Sequence, residues 1–305
     1  MDAALDRLLA AHDGVVLRWQ LLDVVTEGTA RGLVRRGVLV VLRHGVYGDG
    51  RLLAQTDPTT LALVQVRAES LVRRRDEVAT GLTAAAAHGL PFLGRLPVQP
   101  RLSLPREVGE RPREDRPRSW LPDEEVTSVD GLPVSTIART VVDVARTRPF
   151  AFAVVTADAA LARGATRDEL AVVLERCRRW PGSRSARRVV EFADALSESA
   201  LESLGRARFE EAGLPRPELR VELSDADRLV RVDHRWARSR TVAEADGLLK
   251  YDSPDVLRKE KLREDWLRDR GEQVVRYVWD EALRRPDVIV DRLRRAFLRS
   301  TWRAA

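Results

Sequence analysis

Two short alternations of apolar and polar residues, separated by a charged turn, constrain the fold of this chain more than any other stretch. The first, at 229–236, contains Asp233, and the second, at 240–245, contains Glu244, with Asp246 just beyond its end. A period of two residues predicts β-strands, and two strands joined by a short turn pair side by side. We therefore expect these three carboxylates to lie close together at neighbouring strands.

The residues on either side of this pair of strands predict a mixed α/β domain at 191–305. A long helix is expected from Val189 to about Ala212, where Gly213 ends it. The remaining predicted elements are strands at 219–223, 229–236 and 240–245, a helix at 254–270, a strand at 273–278 and a terminal helix at 286–299. Helices that alternate with strands in the order αβββαβ are typical of an α/β core with a mixed sheet.

The first fifty residues predict a winged helix-turn-helix domain. Apolar spacing indicates helices at 3–11, 17–25 and 30–36, the last capped by Thr29, and then a β-hairpin formed by 38–42 and 45–47. Three short helices followed by a two-stranded wing is an order found in DNA-binding domains. The candidate DNA contacts are Arg31, Arg35 and Arg36 on the third helix and Arg43 at the tip of the hairpin. A small structural domain with solvated arginines is the alternative.

Residues 51–190 predict a mainly helical middle region. The expected helices lie at 61–74, 80–90, 136–145, 151–163 and 167–179, with a strand at 102–105 and a Pro- and Arg-rich loop at 106–118. Arg139 and Asp143 have the i,i+4 spacing of an ion pair, which we expect at the helix surface or at a domain interface. Residues 184–188 form a basic connector to the last domain.

Composition limits the classes of protein to be considered. A length of 305 residues favours two or three domains. The single cysteine excludes a disulfide framework and a cysteine-rich zinc site. The net charge of +6 is compatible with a nucleic-acid partner without establishing one. No apolar run reaches membrane-spanning length and no signal peptide precedes the first helix, so we expect a cytoplasmic protein without a membrane partner.

The carboxylates at the strand ends suit a divalent cation. Mg²⁺ takes oxygen ligands from one or two carboxylates together with water and substrate phosphate. Such an ion polarises a phosphoryl oxygen and activates a bound water, and a nearby lysine stabilises the charge that develops. All three lysines of the chain follow the carboxylates, at Lys250, Lys259 and Lys261. The alternatives are structural carboxylates, with Asp246 capping the turn at Gly247, and lysines on a solvated helix face.

Residues of about 195 to 300 resemble the very-short-patch-repair-like branch of the PD-(D/E)xK nuclease superfamily. The matching residues are Glu202, Arg206, Val232-Asp233, Trp236, Glu244-Ala245-Asp246-Gly247, Lys250-Tyr251, Glu260-Lys261, Arg263-Glu264-Asp265, Leu267, Gly271, Val274-Val275-Arg276 and Trp279. The match covers about a third of the chain, and both the order and the spacing of the motifs agree. The resemblance implies a restriction-endonuclease-like fold and Mg²⁺- or Mn²⁺-dependent hydrolysis of DNA.

Carried over residue by residue, the resemblance implies that Asp233 and Glu244 ligate the metal, with the carbonyl of Ala245 as a further ligand. Glu202 would lie near the site from the preceding helix, and Asp246 would belong to the same catalytic cluster. The superfamily pattern has a lysine where Asp246 stands. The role of that lysine then falls to Lys250, or the site is weakened or inactive.

The front of the chain, roughly 5–190, resembles the AbiEi-type antitoxins of type IV toxin–antitoxin systems. The resemblance is carried by Arg35-Arg36-Gly37-Val38-Leu39, Arg43-His44-Gly45-Val46-Tyr47, Thr83-Ala84-Ala85-Ala86, Gly89-Leu90, Leu132-Pro133-Val134-Ser135, Arg139-Thr140 and Val142-Asp143. Members of that family use a winged helix to bind promoter DNA. The resemblance implies a DNA partner and a cognate toxin or defence-system partner.

Three hypotheses follow from the sequence. The first is a DNA-directed, Mg²⁺-dependent endonuclease with domains at 1–50, 51–190 and 191–305. The second is a non-enzymatic transcriptional repressor or antitoxin whose nuclease-like domain has become a binding platform. The third is a protein-interaction module whose basic surface serves only solvation.

Overall fold

The computed structural model of this protein describes residues 3–54, 64, 68, 78–94, 102–103, 121–226, 228–247 and 254–303. Within these residues the chain combines many helices with three small sheets, so the expectation of a mixed α/β protein is confirmed. The chain divides into two compact units, one made of 1–90 and 94–143 and the other of 91–93 and 144–305. The finer division into three functional domains stays a prediction.

The first unit begins with short helices and a three-stranded sheet. Its elements are α1 (Ala3–Ala11), β1 (Val15–Leu17), α2 (Arg18–Leu22), α3 (Glu27–Arg35), β2 (Leu39–Arg43), β3 (Val46–Asp49) and α4 (Gly50–Ala54). The strands lie in the order β1-β3-β2, and the predicted hairpin is the antiparallel pair β2–β3. Leu5, Leu9, Val16, Leu21 and Leu33 form the buried core of this part.

The starting residues of two helices in this part differ from the sequence prediction. Residues 15–17 are a strand paired with β3, so the second helix starts at Arg18 rather than at Leu17. The third helix starts before Ala30, because the hydroxyl of Thr26 accepts a 3.3 Å hydrogen bond from the amide of Thr29 and caps it. The prediction of Thr29 as the cap was wrong, and Gly28 is accommodated in the first turn.

The rest of the first unit is built around a second sheet. Its elements are β4 (Val78–Ala79), α5 (Gly81–Ala87), β5 (Leu102–Ser103), β6 (Val126–Val129), β7 (Leu132–Ser135) and the first part of α6 (Ile137–Thr147), whose residues from Val144 belong to the second unit. The strand order is β5-β4-β7-β6. The predicted helix at 61–74 lies outside the described residues except for Val64 and Ala68, which are helical. The predicted loop at 106–118 lies outside them altogether.

The Arg139–Asp143 ion pair forms, but it is not on a helix surface. Arg139 is only 1% exposed, and its guanidinium group bonds Asp143 at 2.9 Å and Glu125 at 2.5 Å. The second carboxylate comes from a 3₁₀ turn at Asp123–Glu125, which the helical spacing does not reveal. A buried arginine needs such compensation, so this cluster stabilises the fold of the first unit.

The second unit carries the predicted order αβββαβ. Its elements are α7 (Phe150–Ala162), α8 (Arg167–Arg176), α9 (Ser183–Phe192), α10 (Ala200–Glu211), β8 (Glu218–Ser224), β9 (Leu229–Trp236), β10 (Thr241–Ala245), α11 (Pro254–Asp269), β11 (Gln273–Tyr277), α12 (Trp279–Arg284) and α13 (Pro286–Arg303). The strands lie in the order β11-β10-β9-β8, with β10 and β11 parallel and the other pairs antiparallel. The sheet is therefore mixed, as expected.

The single long helix predicted from Val189 to Ala212 was wrong. The chain leaves α9 at Ala193 and enters α10 at Ala200. The break is stabilised because the Ser199 hydroxyl accepts a 3.1 Å hydrogen bond from the amide of Glu202 and caps the new helix. The capping places Glu202 in the first turn of α10.

The core of the second unit lies on one face of the mixed sheet and around α10. Val230, Val232 and Val242 pack against Leu267 of α11. On α10, Gly205 lies so close to Tyr277 of β11 that a side chain at this position would overlap the tyrosine ring. This packing fixes α10 against the strands that carry the acidic residues.

Candidate active site

Asp233 and Glu244 lie close to each other on neighbouring strands. Strands β9 and β10 pair antiparallel, with Thr241 opposite Trp236 and Ala243 opposite His234. The recorded pairs end there, and Asp233 and Glu244 are the next residues of the two strands. The charge of Asp233 contributes to the raised pKa of Glu244, so the two carboxylates are electrostatic neighbours.

Asp233 is held by the backbone of the neighbouring strand. Its Oδ2 accepts a 2.8 Å hydrogen bond from the amide of Ala245. Burial raises the pKa of Asp233 from its ordinary value of 3.8 to about 6, and the nearby charge of Glu202 adds to the rise, whereas Arg263 opposes it. Ionised Asp233 is therefore destabilised by its burial, and a bound cation would reduce that unfavourable free energy.

Glu244 has one compensated oxygen and one orphaned oxygen. Its Oε2 lies 2.5 Å from Nη1 of Arg263 and 3.8 Å from Nη2 of Arg276. Its Oε1 is buried and has no hydrogen-bond partner within the part of the chain that the structure describes. Burial raises the pKa of Glu244, and Arg263 opposes that rise. A buried carboxylate oxygen without a donor is a ligand position that a cation or an ordered water would satisfy.

Glu202 approaches the same site from α10. It is buried, and its Oε2 accepts a 2.9 Å hydrogen bond from the amide of Glu198. Its charge contributes to the raised pKa of Asp233, so the two carboxylates are electrostatic neighbours. The structure thus brings Glu202 near Asp233.

Asp246 lies at the end of β10 beside an arginine. Its Oδ2 is 3.7 Å from Nη1 of Arg276, and its amide donates a 2.8 Å hydrogen bond to the carbonyl of Tyr277. The Nε of Arg276 in turn bonds Glu264 at 3.1 Å. Asp246 is therefore an aspartate paired with Arg276.

The structure describes the side chain of one of the three predicted lysines. Lys250 lies outside the described residues. Lys261 is exposed on α11, and Lys259 belongs to the same helix, although its side chain is outside the described part.

Two arginines were matched in the sequence without being given a role. Arg263 reaches Glu244 from α11, and its Nη2 also donates a 2.6 Å hydrogen bond to the carbonyl of Arg231. Arg276 stands opposite Glu244 in the parallel pair β10–β11. Strand register was the signal that would have found Arg276, whereas Arg263 depends on how α11 packs.

The donor set fits a cation that needs few protein ligands. In the described part of the chain no three histidine, cysteine, aspartate or glutamate residues are arranged to hold a metal ion. Asp233 and the Oε1 of Glu244 nevertheless offer two neighbouring carboxylate ligands. Mg²⁺ is commonly bound by one or two carboxylates, the rest being water and phosphate oxygens, so these residues fit Mg²⁺ better than a metal held in an all-protein cage.

The predicted DNA-contact arginines occupy the helix and the hairpin assigned to them. Arg31 and Arg35 are exposed on α3, where Arg31 pairs with Glu27 at 3.0 Å, and Arg36 is exposed at the C-terminal end of that helix. Arg43 lies at the end of β2 and is half-buried rather than projecting from the tip, where His44 is exposed. Among the described helices, none is both long and apolar enough to cross a membrane.

Comparison with known proteins places the chain in a family. No family model matches the sequence. The chain is 30% identical over 266 residues to the uncharacterized protein MT2308 of Mycobacterium tuberculosis strain CDC 1551 and, equally, to the uncharacterized protein Rv2248 of strain H37Rv. The matched stretch covers 86% of this chain and 93% of each relative. The chain therefore belongs to the same protein family as the mycobacterial proteins Rv2248 and MT2308.

Proposed function

We propose that this protein is a metal-dependent endonuclease that acts on DNA, with Asp233 and Glu244 as its metal-binding carboxylates. The observation that carries the proposal is the buried Oε1 of Glu244, which has no hydrogen-bond partner among the described residues and lies near Asp233, a carboxyl group whose pKa is raised to about 6. Two neighbouring desolvated acids are costly unless a cation shares them.

Each residue of the proposed site has a separate role in phosphodiester hydrolysis. Bound Mg²⁺ or Mn²⁺ supplies charge neutralisation at the phosphate and a water of lowered pKa. Asp233 is oriented by the amide of Ala245, so its free oxygen points to a fixed place. Glu202 on α10 adds a further negative charge beside Asp233. Lys250, four residues after Asp246, is the proposed cationic group at the scissile phosphate. Asp246 is linked to the site by Arg276, which lies near both Asp246 and Glu244.

The fold of each unit supports this assignment. In the second unit, α10 followed by β8, β9, β10, α11 and β11 has the order of a restriction-endonuclease-like core. In the first unit, α1 to α3 and the β2–β3 hairpin have the order of a winged helix-turn-helix domain. We propose that Arg31, Arg35, Arg36 and Arg43 contact DNA from this domain and recruit the substrate.

A cleavage assay tests the proposal. Purified full-length protein is incubated with supercoiled plasmid, single-stranded DNA and RNA in Mg²⁺, in Mn²⁺ and in EDTA. We expect metal-dependent nicking of DNA that Asp233→Asn and Glu244→Gln each abolish, while binding to duplex DNA is retained. The matched control is Asp265→Asn, which removes an exposed carboxylate of α11 outside the site. Absence of cleavage of any substrate with either metal rejects the proposal.

A second candidate function is a DNA-binding repressor or antitoxin that lacks catalysis. It is favoured by the 2.5 Å contact between Arg263 and Glu244, because an arginine that neutralises Glu244 makes a metal less necessary. Asp246 in the lysine position supports it as well. On this alternative the protein binds DNA upstream of its own gene, and the replacement of Arg35 and Arg36 by alanine abolishes binding, whereas Asp233→Asn has no effect. A cognate toxin would then be the protein partner.

A further inference from the structure

Residues 176–190, which comprise the end of α8, the following turn and most of α9, form a strongly charged segment. They contain six arginines and no carboxylate, and the arginines are Arg176, Arg178, Arg179, Arg184, Arg187 and Arg188. Such a run is unusual in a chain whose Asp+Glu count, 47, is close to its Lys+Arg count, 53. The proposed nuclease site does not use this segment, which we name the α8–α9 basic surface.

The arginines of α9 share one face of the helix. Arg184, Arg187 and Arg188 are spaced by three and four residues, so they are neighbours on the helix surface. All three are exposed, while Ala186 and Val189 on the other side are buried in the unit. The guanidinium group of Arg188 lies 3.9 Å from the ring centre of Phe150, which holds it in place.

Within the part of the chain that the structure describes, half of these arginines pair with no carboxylate. Glu175 pairs with Arg178 at the edge of the segment. Among the described residues, no carboxylate pairs with Arg179, Arg184 or Arg187. All three are exposed, so their guanidinium groups face solvent and can bind an external anion.

The turn between α8 and α9 is well fixed. Gly182 has φ +81°, and a Cβ atom there would overlap the carbonyl oxygen of Arg146. The Nε of Arg146 donates a 3.0 Å hydrogen bond to the carbonyl of Pro181, and its guanidinium group lies 4.7 Å from the ring centre of Trp180. The hydroxyl of Ser183 donates a 2.8 Å hydrogen bond to the carbonyl of Arg178. A backbone fixed in this way loses less entropy on binding than a flexible basic tail.

The chemistry favours a phosphate backbone over a membrane surface. Helices that lie on membranes expose an apolar face, whereas the apolar residues of α9, including Val189 and Val190, are buried. Guanidinium groups bind phosphate oxygens in a bidentate manner, and duplex DNA presents one phosphate charge per about 1.7 Å of axis. We propose that the α8–α9 basic surface is a second docking surface for duplex DNA, carried by the same unit as the nuclease site. This inference rests on the proposed function in that DNA is the substrate.

Binding measurements on the full-length chain test the inference. Asp233→Asn is introduced throughout so that cleavage does not interfere. Affinity for a short DNA duplex is measured by fluorescence anisotropy over a range of KCl concentrations for the parent, for Arg184→Ala/Arg187→Ala and for a matched control, Arg238→Ala/Arg295→Ala. The control removes two exposed arginines from the same unit and therefore the same net charge. Thermal unfolding checks that both variants are folded.

The result expected is weaker binding of the Arg184→Ala/Arg187→Ala variant, on the order of tenfold at low salt, with a salt slope smaller by about 1.8, because each lost phosphate contact removes about 0.9. The control variant should bind like the parent. Equal affinity of the two double variants overturns the inference, and so does arginine-dependent binding to phosphatidylserine vesicles without binding to duplex DNA. If the parent binds DNA through these arginines but the chain with native Asp233 never cleaves, the nuclease proposal fails and the docking surface stands.

Discussion

Nη1 of Arg263 lies 2.5 Å from Oε2 of Glu244, while the other carboxylate oxygen of Glu244 is buried and accepts no hydrogen bond from any described residue. The arginine therefore pairs with one carboxylate oxygen of Glu244 and leaves the other available to a metal ion. In the proposed enzyme, Arg263 stabilises the apo site and orients Glu244 towards the metal. In a protein without catalysis, the same contact would be a permanent substitute for the metal.

Replacing Arg263 with alanine should make the second unit depend on divalent metal for its stability. Loss of the guanidinium leaves Glu244 uncompensated, which costs roughly 3 kcal/mol of unfolding free energy in EDTA. Mg²⁺ or Mn²⁺ should restore much of this loss, because binding to the folded state stabilises it. Thermal unfolding with and without metal measures both effects.

The control for this experiment is Arg258→Ala, which removes an exposed arginine from the same helix. Its unfolding should be nearly unchanged in EDTA and in metal. If metal restores no stability to Arg263→Ala, the contact is a plain ion pair and Glu244 does not bind metal.

Asp233→Asn should stabilise the metal-free protein at neutral pH. The pKa of Asp233 is raised from 3.8 to about 6 in the folded state, chiefly by burial. The folded state therefore binds a proton more readily than the unfolded state, and stability falls as pH rises from about 4 to about 6. Above that range the ionised acid costs up to about 3 kcal/mol, a penalty that asparagine removes.

Urea unfolding of the parent and of Asp233→Asn in EDTA, at pH 4 and at pH 7.5, measures this difference. His234, whose pKa is lowered to about 4 by burial, also makes stability depend on pH, but it is present in both proteins and cancels from the comparison. A parent that equals the variant in stability at both pH values contradicts a desolvated Asp233.

Gly205→Ala should destabilise the second unit. A Cβ atom at this position would overlap the hydroxyl and ring of Tyr277, which is fully buried and cannot move aside easily. Overpacking of this kind costs about 1–3 kcal/mol. Gly28→Ala in α3 is the control: its Cβ meets no atom within 4 Å, so it should stabilise the first unit by about 0.5–1 kcal/mol. Chemical denaturation of both variants tests the packing of α10 on β11.

The sequence was sufficient to predict the strands that carry the site. Period-two alternation predicts β9 and β10, and both strands form. It also implies that Asp233 and Glu244 are neighbours, in agreement with the effect of Asp233 on the pKa of Glu244. The order of the elements in the second unit could also be predicted, because glycines and prolines in the sequence mark the ends of the helices. These signals are local in the chain, so they can be read without tertiary contacts.

Features that depend on tertiary contacts could not be predicted in this way. The break between α9 and α10 depends on the Ser199 cap. From the sequence pattern alone, a capping serine cannot be distinguished from a serine within a continuous helix. The burial of Arg139 depends on Glu125, fourteen residues earlier in the chain. At the site, Arg263 reaches Glu244 only because α11 packs against the sheet, and Ala245 binds Asp233 through its amide, whereas the family resemblance had drawn attention to its carbonyl.

Isothermal titration of Mn²⁺ into the metal-free protein tests the central claim most directly. If Asp233 and Glu244 share a cation, the parent should bind Mn²⁺ at one site, Mg²⁺ should compete, and Asp233→Asn and Glu244→Gln should each abolish the heat of binding while remaining folded. Asp265→Asn should bind like the parent. A parent that binds no Mn²⁺, or variants that bind it as the parent does, would contradict the account.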